Sequence, residues 1–507
     1  MMSDVFGMPP GLVGLIPLLL LFIGLGFTRI PAYVVAITAA LISIVMASAG
    51  WKASTPAIAW AGLEGAVTAL VPIVWVILSA VFIFLVSTET KAINTFRHFL
   101  SGVTPDPSLQ AVLIAFCLGG FLEAVAGFGS AVAVPAGMLI ALGFKPIKAV
   151  VLSLVANSVP VAFGALGIPL LALVKVTNLE TSILSKNVAV QLAAPAILVP
   201  AVLVLMTHQG WKGIGRPIAE SLFIGLVFSG TQVLLAWTVG PELVAIGGSL
   251  ASLLVYVAYR RCISSPPPSP REQVAPNLAM AAMPFACLLA MVLLTRLTAL
   301  RVLQKEPFAL VVGPDAHRMT LDLITTPGTL LMISALIGAA AGGLSFRRTW
   351  QILCEATWKI RWTAVIVVSI LMMAKVMTCS GMITSVAMML ADGAGVFFPL
   401  ISPWLGAIGT FVTGSDTSSN ILLGALQKET AINTGFDPAW ISAANTSGAT
   451  AGKMISPQSI SVGASTAGIE SQQGEILRTT IWYCAGYLVL LCIIIYVGAT
   501  LGLGATH

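Results

Sequence analysis

"AANTSGATAGKMISPQS", residues 443–459, sets one lysine, Lys453, among Gly, Ala, Ser, Thr and Asn in a stretch without other charge. The chain on either side is strongly apolar. An unpaired ammonium at mid-bilayer costs at least about 2.5–3.5 kcal/mol on insertion scales, so it needs a partner or a wet cavity. Its surroundings decide the fold class, and its small polar neighbours mark where function is to be sought.

Of 507 residues, 58% are hydrophobic and 9% charged, with a mean hydropathy of +0.99. Soluble domains carry about 25% charged residues, so this is an all-α polytopic membrane protein. About twelve apolar runs can cross a bilayer core of roughly 30 Å. They lie at 11–27, 30–50, 64–87, 147–174, 187–207, 218–237, 242–259, 278–297, 327–344, 361–389, 438–466 and 478–503. The first lacks the basic leader of a cleavable signal and reads as a permanent helix. The seven cysteines form no CxxC, and His98, His208, His317 and His507 fall in predicted loops or at the terminus. No zinc site, disulfide framework or hydrolase centre is suggested. A P-loop is absent, and no basic run has interleaved aromatics, so an ATP-driven pump and a nucleic-acid partner are not supported. The chain does not read as an enzyme, and no cofactor is expected.

Two stretches, 108–142 and 403–428, fit poorly as simple spans. Each has two short apolar pieces around a small-residue knot, "EAVAGFGSA" (123–131) and "TGSDTSSN" (413–420). Such a pair can enter a membrane and return if its tip is buried in protein or lines a polar cavity, so both are expected to be re-entrant hairpins. The proline-rich 264–276 and the stretch 301–326 read as loops. With this topology one side collects fifteen of the 25 Lys and Arg and the other eight. The richer side should be cytoplasmic, which puts both termini outside. Lys375 and Lys453 fall inside spans.

The chain compares with itself at an offset of 287 to 288 residues. Gly119, Glu123, Gly127 and Ser130 align with Gly406, Thr410, Gly414 and Thr417, and "NSVPVAFGALGIP" (157–169) aligns with "NTSGATAGKMISP" (445–457). The expected organisation is N-terminal spans in 1–63, a first repeat in 64–174, intervening spans in 175–360, a second repeat in 361–466 and a last span in 467–507. An odd number of crossings separates the copies, so they should be inverted. Inverted repeats with interrupted helices are a transporter architecture, with the substrate near the midplane where the copies meet.

Asn157-Ser158 and Asn445-Thr446, each followed by Gly and Pro, can unwind a helix and free amides that suit a carboxylate. The competing reading is close packing or hydrogen bonding between helices. Lys453 aligns with Ala165, so the two halves are chemically unequal, and a single cation fits a substrate with one carboxylate. It could instead be a structural ion pair with Asp416 or Glu123. Those two carboxyls sit in or beside the knots, where a low dielectric favours the neutral form and suits a proton carrier. Asp416 could instead cap a short helix. Lys375 could be a second cavity cation or snorkel to an interface.

"GGFLEAVAGFGSAVAV" (119–134), "ANSVPVAFGALGIP" (156–169), "TGSDTSSNILLGALQ" (413–427) and "AANTSGATAGKMISPQSI" (443–460) closely resemble the lactate permease family. The resemblance starts at "PIVWVILSAVFIF" (72–84) and runs to the last span. It implies a multi-pass transporter of the bacterial inner membrane that takes up lactate or glycolate, generally with a proton. Through a wider ion-transporter group it also implies inverted repeats, re-entrant hairpins and a homodimer. Carried over by motif, the substrate-binding residues are Gly127, Gly129, Asn157, Ser158, Thr417, Ser418, Asn420, Asn445, Thr446, Lys453, Ser456 and Gln458. Glu123 and Asp416 are the implied proton-coupling pair. Ala124, Ala131 and Lys375 depart from the family pattern beside the site, which bears on the particular 2-hydroxy acid. A sodium symporter of an organic anion is the alternative, followed by an anion channel.

Overall fold

The computed structural model describes residues 7–27, 30–92, 103–125, 129–208, 213–263, 278–295 and 326–503, with a few isolated residues and two short strands between them. Apart from an antiparallel ribbon pairing Leu310–Val312 with Met319–Leu321, the described chain is helical. Ten helices are long and apolar enough to cross a membrane among the described residues. The expected span 11–27 is two helices, Pro10–Gly14 and Ile16–Phe27, and 327–344 is the shorter Pro327–Ala341. The expected loop at 264–276, and most of 301–326, lie outside the described residues.

One succession of elements occurs twice. A first long helix, Thr55–Glu89, is followed by a helix pair, Pro107–Val125 and Ser130–Ala141, and then by a broken helix, Pro146–Ala156 and Gly164–Thr177. Later come a second long helix, Phe346–Ser380, a pair Phe398–Thr413 and Asp416–Thr434, and a broken helix Pro438–Ile455 and Pro457–Ala467. The second long helix begins well before the expected residue 361. An additional helix, Met382–Ala394, separates it from the second pair.

Local chemistry explains the breaks. Each pair turns at glycines in the left-handed region, Gly127 (φ +56°) and Gly129 (φ +87°) in the first and Gly414 (φ +71°) in the second, where a Cβ would be strained. In the first broken helix Pro160 cannot donate to the preceding turn, so regular helix ends with Asn157 as its C-cap. Ala165, Leu166 and Gly167 then take positive φ before helix resumes. In the second, Pro457 pushes Ser456 into the extended region, and Ser456 caps the helix that follows.

The copies interlock. The second arm of the first pair, Ser130–Ala141, packs on the outer half of the second broken helix, Pro457–Ala467. The second arm of the second pair, Asp416–Thr434, packs on the outer half of the first, Gly164–Thr177. Polar clamps reinforce the latter contact: Asn420 Nδ2 donates to the Pro169 carbonyl at 3.0 Å and Lys428 Nζ to the Thr177 carbonyl at 2.9 Å. Within the second copy, Pro438–Ile455 lies almost backbone to backbone on Phe398–Thr413. A Cβ at Gly448 or Gly452 would strike the Pro403 or Ala407 carbonyl, the close approach that a GxxxG spacing permits. That contact fixes the height of Lys453 beside the second turn.

Candidate functional site

A cavity of about 140 Å³ lies where the turns and breaks converge. Glu123 and Gly127 reach it from the first pair, Asp416, Thr417 and Ser418 from the second, and Lys453 and Gln458 from the second broken helix. Seven of the expected site residues are therefore brought together. Residues distant in sequence meet because each turn abuts the break of a helix from the repeated succession.

Lys453 is half-buried, and its ammonium donates to the Gly414 carbonyl at 2.9 Å. It makes no ion pair within 4.0 Å among the described residues, so the expected alternative of a direct salt bridge with Asp416 or Glu123 is not what the structure contains. Both carboxyls nonetheless feel its charge. Glu123 Oε2 accepts from Asn157 Nδ2 at 3.2 Å. Asp416 is 3% exposed, and among the described residues neither carboxyl oxygen has a hydrogen-bond partner. Nor does Asp416 cap its helix, because the Ser415 hydroxyl is the N-cap, accepting from the Ser418 amide at 3.3 Å. Fully ionised, the three charged groups sum to minus one, and both carboxyls are almost fully buried. Burying such charge without partners costs several kcal/mol. The arrangement is therefore built to hold something else, whether a proton, a cation or a hydrogen-bonding ligand.

Other expected residues support the site without lining it. Asn157 stands behind Glu123, and the Ser158 hydroxyl donates to its own helix at Val155. Asn445-Thr446 does not unwind: Pro438–Ile455 is continuous through it, and the break falls at Ser456 because that residue precedes proline. The Asn445 and Thr446 side chains both donate to Asn420 Oδ1, at 2.8 and 2.9 Å, and Gln427 Nε2 donates to Asn445 Oδ1 at 2.7 Å. All four are buried, so this network ties helices together. Gly129 packs against Val462, and Ser456 bonds to Ser459. Lys375 is no cavity cation either. It pairs with Glu64 of the first long helix at 2.7 Å.

Sequence reasoning missed several lining residues. Thr413 and Ser415 lay within a knot already singled out, so their hydroxyls were readable. Ile77, Thr363, Ile366 and Val367 line the cavity from the long helices and carry no signal in so apolar a context. A larger cleft of about 580 Å³ opens near Lys145, Lys148 and Tyr483, but none of the buried charge reaches it. Among the described residues no group of three or more His, Cys, Asp or Glu is placed to hold a metal ion.

A family model described as L-lactate permease matches residues 11–502. An L-lactate permease of Streptococcus iniae is 34% identical over 440 residues, covering 85% of this chain and 93% of the relative. The glycolate permease GlcA of Escherichia coli K12 is 32% identical, covering 93% and 92%. An L-lactate permease of Bacillus subtilis 168 is 30% identical, covering 96% and 95%. The protein is thus a transporter and not an enzyme, and it crosses the bacterial inner membrane many times. With interlocking turns, broken helices and a charged central cavity already in view, the chain belongs to the L-lactate permease family.

Proposed function

We propose that the protein takes up small 2-hydroxy monocarboxylates, lactate and glycolate, by proton symport. The observation that carries this is the cavity's charge: one ammonium, Lys453, among two buried carboxyls, of which Asp416 has no partner. A substrate carboxylate beside Lys453 takes the total from minus one to minus two. With both carboxyls almost fully buried, electrical balance then calls for a further proton, so loading the anion loads a proton with it. Thr417, Ser418 and Gln458 supply neutral groups for the remaining substrate oxygens, and relatives named for lactate and glycolate support the substrate class.

In this reading the two helix pairs are re-entrant hairpins, the repeated successions are inverted copies, and about twelve spans surround them. The exchange of contacts, each second arm on the other copy's outer half-helix, supports a pseudo-twofold relation. Assembly as a homodimer follows from the resemblance alone.

Sodium coupling is the second reading, favoured by the buried Asn157 Oδ1, which has no partner among the described residues, beside the interrupted helix at 157–167. Uptake of radiolabelled L-lactate and glycolate into proteoliposomes separates the two. A pH gradient alone should drive accumulation above equilibrium. Accumulation driven by sodium alone would replace the proton with Na⁺, and flux coupled to neither would indicate a channel.

A further inference from the structure

Part of the cavity wall comes from outside the hairpins and broken helices. Ile77 on the first long helix lines it, as do Thr363, Ile366 and Val367 on the second. The last three stand at i, i+3 and i+4, so they share one helix face. Val161 and Ile168 extend the same apolar lining from the first broken helix, and with Ile77 and Val367 they are almost fully buried. This wall is backed by a rigid contact. At Gly65 the long helices cross so closely that a Cβ would meet the backbone of Leu371 and Met372.

The space is small. At about 140 Å³ the cavity is well below the roughly 300–1,000 Å³ of pockets for drug-sized ligands, so it suits only a small acid. An acid whose carboxylate sits at Lys453 and whose 2-hydroxyl faces the Asp416–Ser418 turn uses the polar groups. Whatever else projects from carbon 2 meets a surface that carries no charge. That substituent is hydrogen in glycolate, methyl in lactate and ethyl in 2-hydroxybutyrate.

We infer that Ile77, Thr363, Ile366 and Val367 set the chain length of the transported acid, so that size selection resides on the long helices while charge recognition resides on the hairpins and breaks. The inference rests on the functional reading above. One methylene in an apolar pocket discriminates by roughly 10–200-fold, which sets the size of the effect sought.

The test uses the full chain in proteoliposomes and compares initial uptake rates of glycolate, L-lactate and 2-hydroxybutyrate. Ile366→Ala and Val367→Ala should each raise the 2-hydroxybutyrate to lactate ratio by about tenfold. Ile366→Phe should lower the lactate to glycolate ratio by a similar factor. Each ratio is taken within one preparation, so a loss of folded protein cancels, and the two alanine variants suffice should the phenylalanine variant not fold. Unchanged ratios in every folded variant, with the parent moving lactate, would overturn the role of the wall. A parent that moves none of the three acids would instead overturn the functional reading.

Discussion

The Lys453 ammonium donates to the carbonyl of Gly414 at 2.9 Å, joining the end of a broken helix to the turn of the neighbouring hairpin. The lysine is thereby held at the cavity without a carboxylate in direct contact. It remains available to an incoming anion, and it is the single Lys, Arg or His among the described lining residues.

Lys453→Ala should therefore abolish binding. Removing one partner of a buried charge pair costs about 2–5 kcal/mol, roughly thirty- to several-thousand-fold in affinity. Lys453→Arg should restore only part, since the planar guanidinium cannot take the place of a compact ammonium at the Gly414 carbonyl. Lactate affinity by isothermal titration on folded variants checks both. If Lys453→Ala combined with Asp416→Asn transported like the parent, the lysine would be a structural counter-ion only.

The two carboxyls should separate in their effects. Asp416→Asn removes a buried group without partners, so its thermal unfolding temperature should equal or exceed the parent's, while accumulation under a pH gradient is lost and lactate exchange survives. Glu123→Gln disturbs the bond from Asn157 and should lower stability as well as coupling. Normal proton-driven accumulation in both variants would make the pair structural.

Asn420, Asn445 and Thr446 make the opposite forecast from Lys453. Asn420→Ala strands the Asn445 amide and the Thr446 hydroxyl, and Asn445→Ala an N–H of Gln427, at about 1–3 kcal/mol. Thr446→Ala leaves Asn420 Oδ1 its bond from Asn445 and should cost less. Denaturation midpoints should fall, and the KM of the protein that survives should stay close to the parent's. A large rise in KM with unchanged stability would return these residues to the substrate.

Gly452→Val tests how Lys453 is placed. The added atoms strike the Ala407 carbonyl and must separate two helices, an overpacking cost of about 1–3 kcal/mol. Lactate affinity should drop although no substrate-facing group has changed. Gly486→Val on the last helix, where a Cβ would meet open space, is the control and should bind like the parent.

Much of this is legible in the sequence. Lys453, Glu123 and Asp416 stood out because charge is costly in an apolar chain, and the glycine-rich knots marked both turns. The Gly and Pro after each Asn-hydroxyl pair point to a break in both helices. Asn445-Thr446 allows either an unwound segment or interhelical hydrogen bonds, and only the partners Asn420 and Gln427 show that the second applies. Lys375 was open for the same reason, its partner Glu64 being 311 residues away. The apolar wall was invisible, since Ile366 and Val367 differ in nothing from lipid-facing neighbours until the fold turns that face inward.

The central claim is that the anion and a proton share one site, and counting protons tests it most directly. Purified protein in weakly buffered detergent solution, mixed with L-lactate at neutral pH, should take up about one proton for each lactate bound, read by a pH indicator alongside calorimetric binding. Asp416→Asn should bind lactate with a clearly smaller proton uptake. Lactate binding with no proton uptake by the parent, unaffected by either carboxyl substitution, would contradict the account.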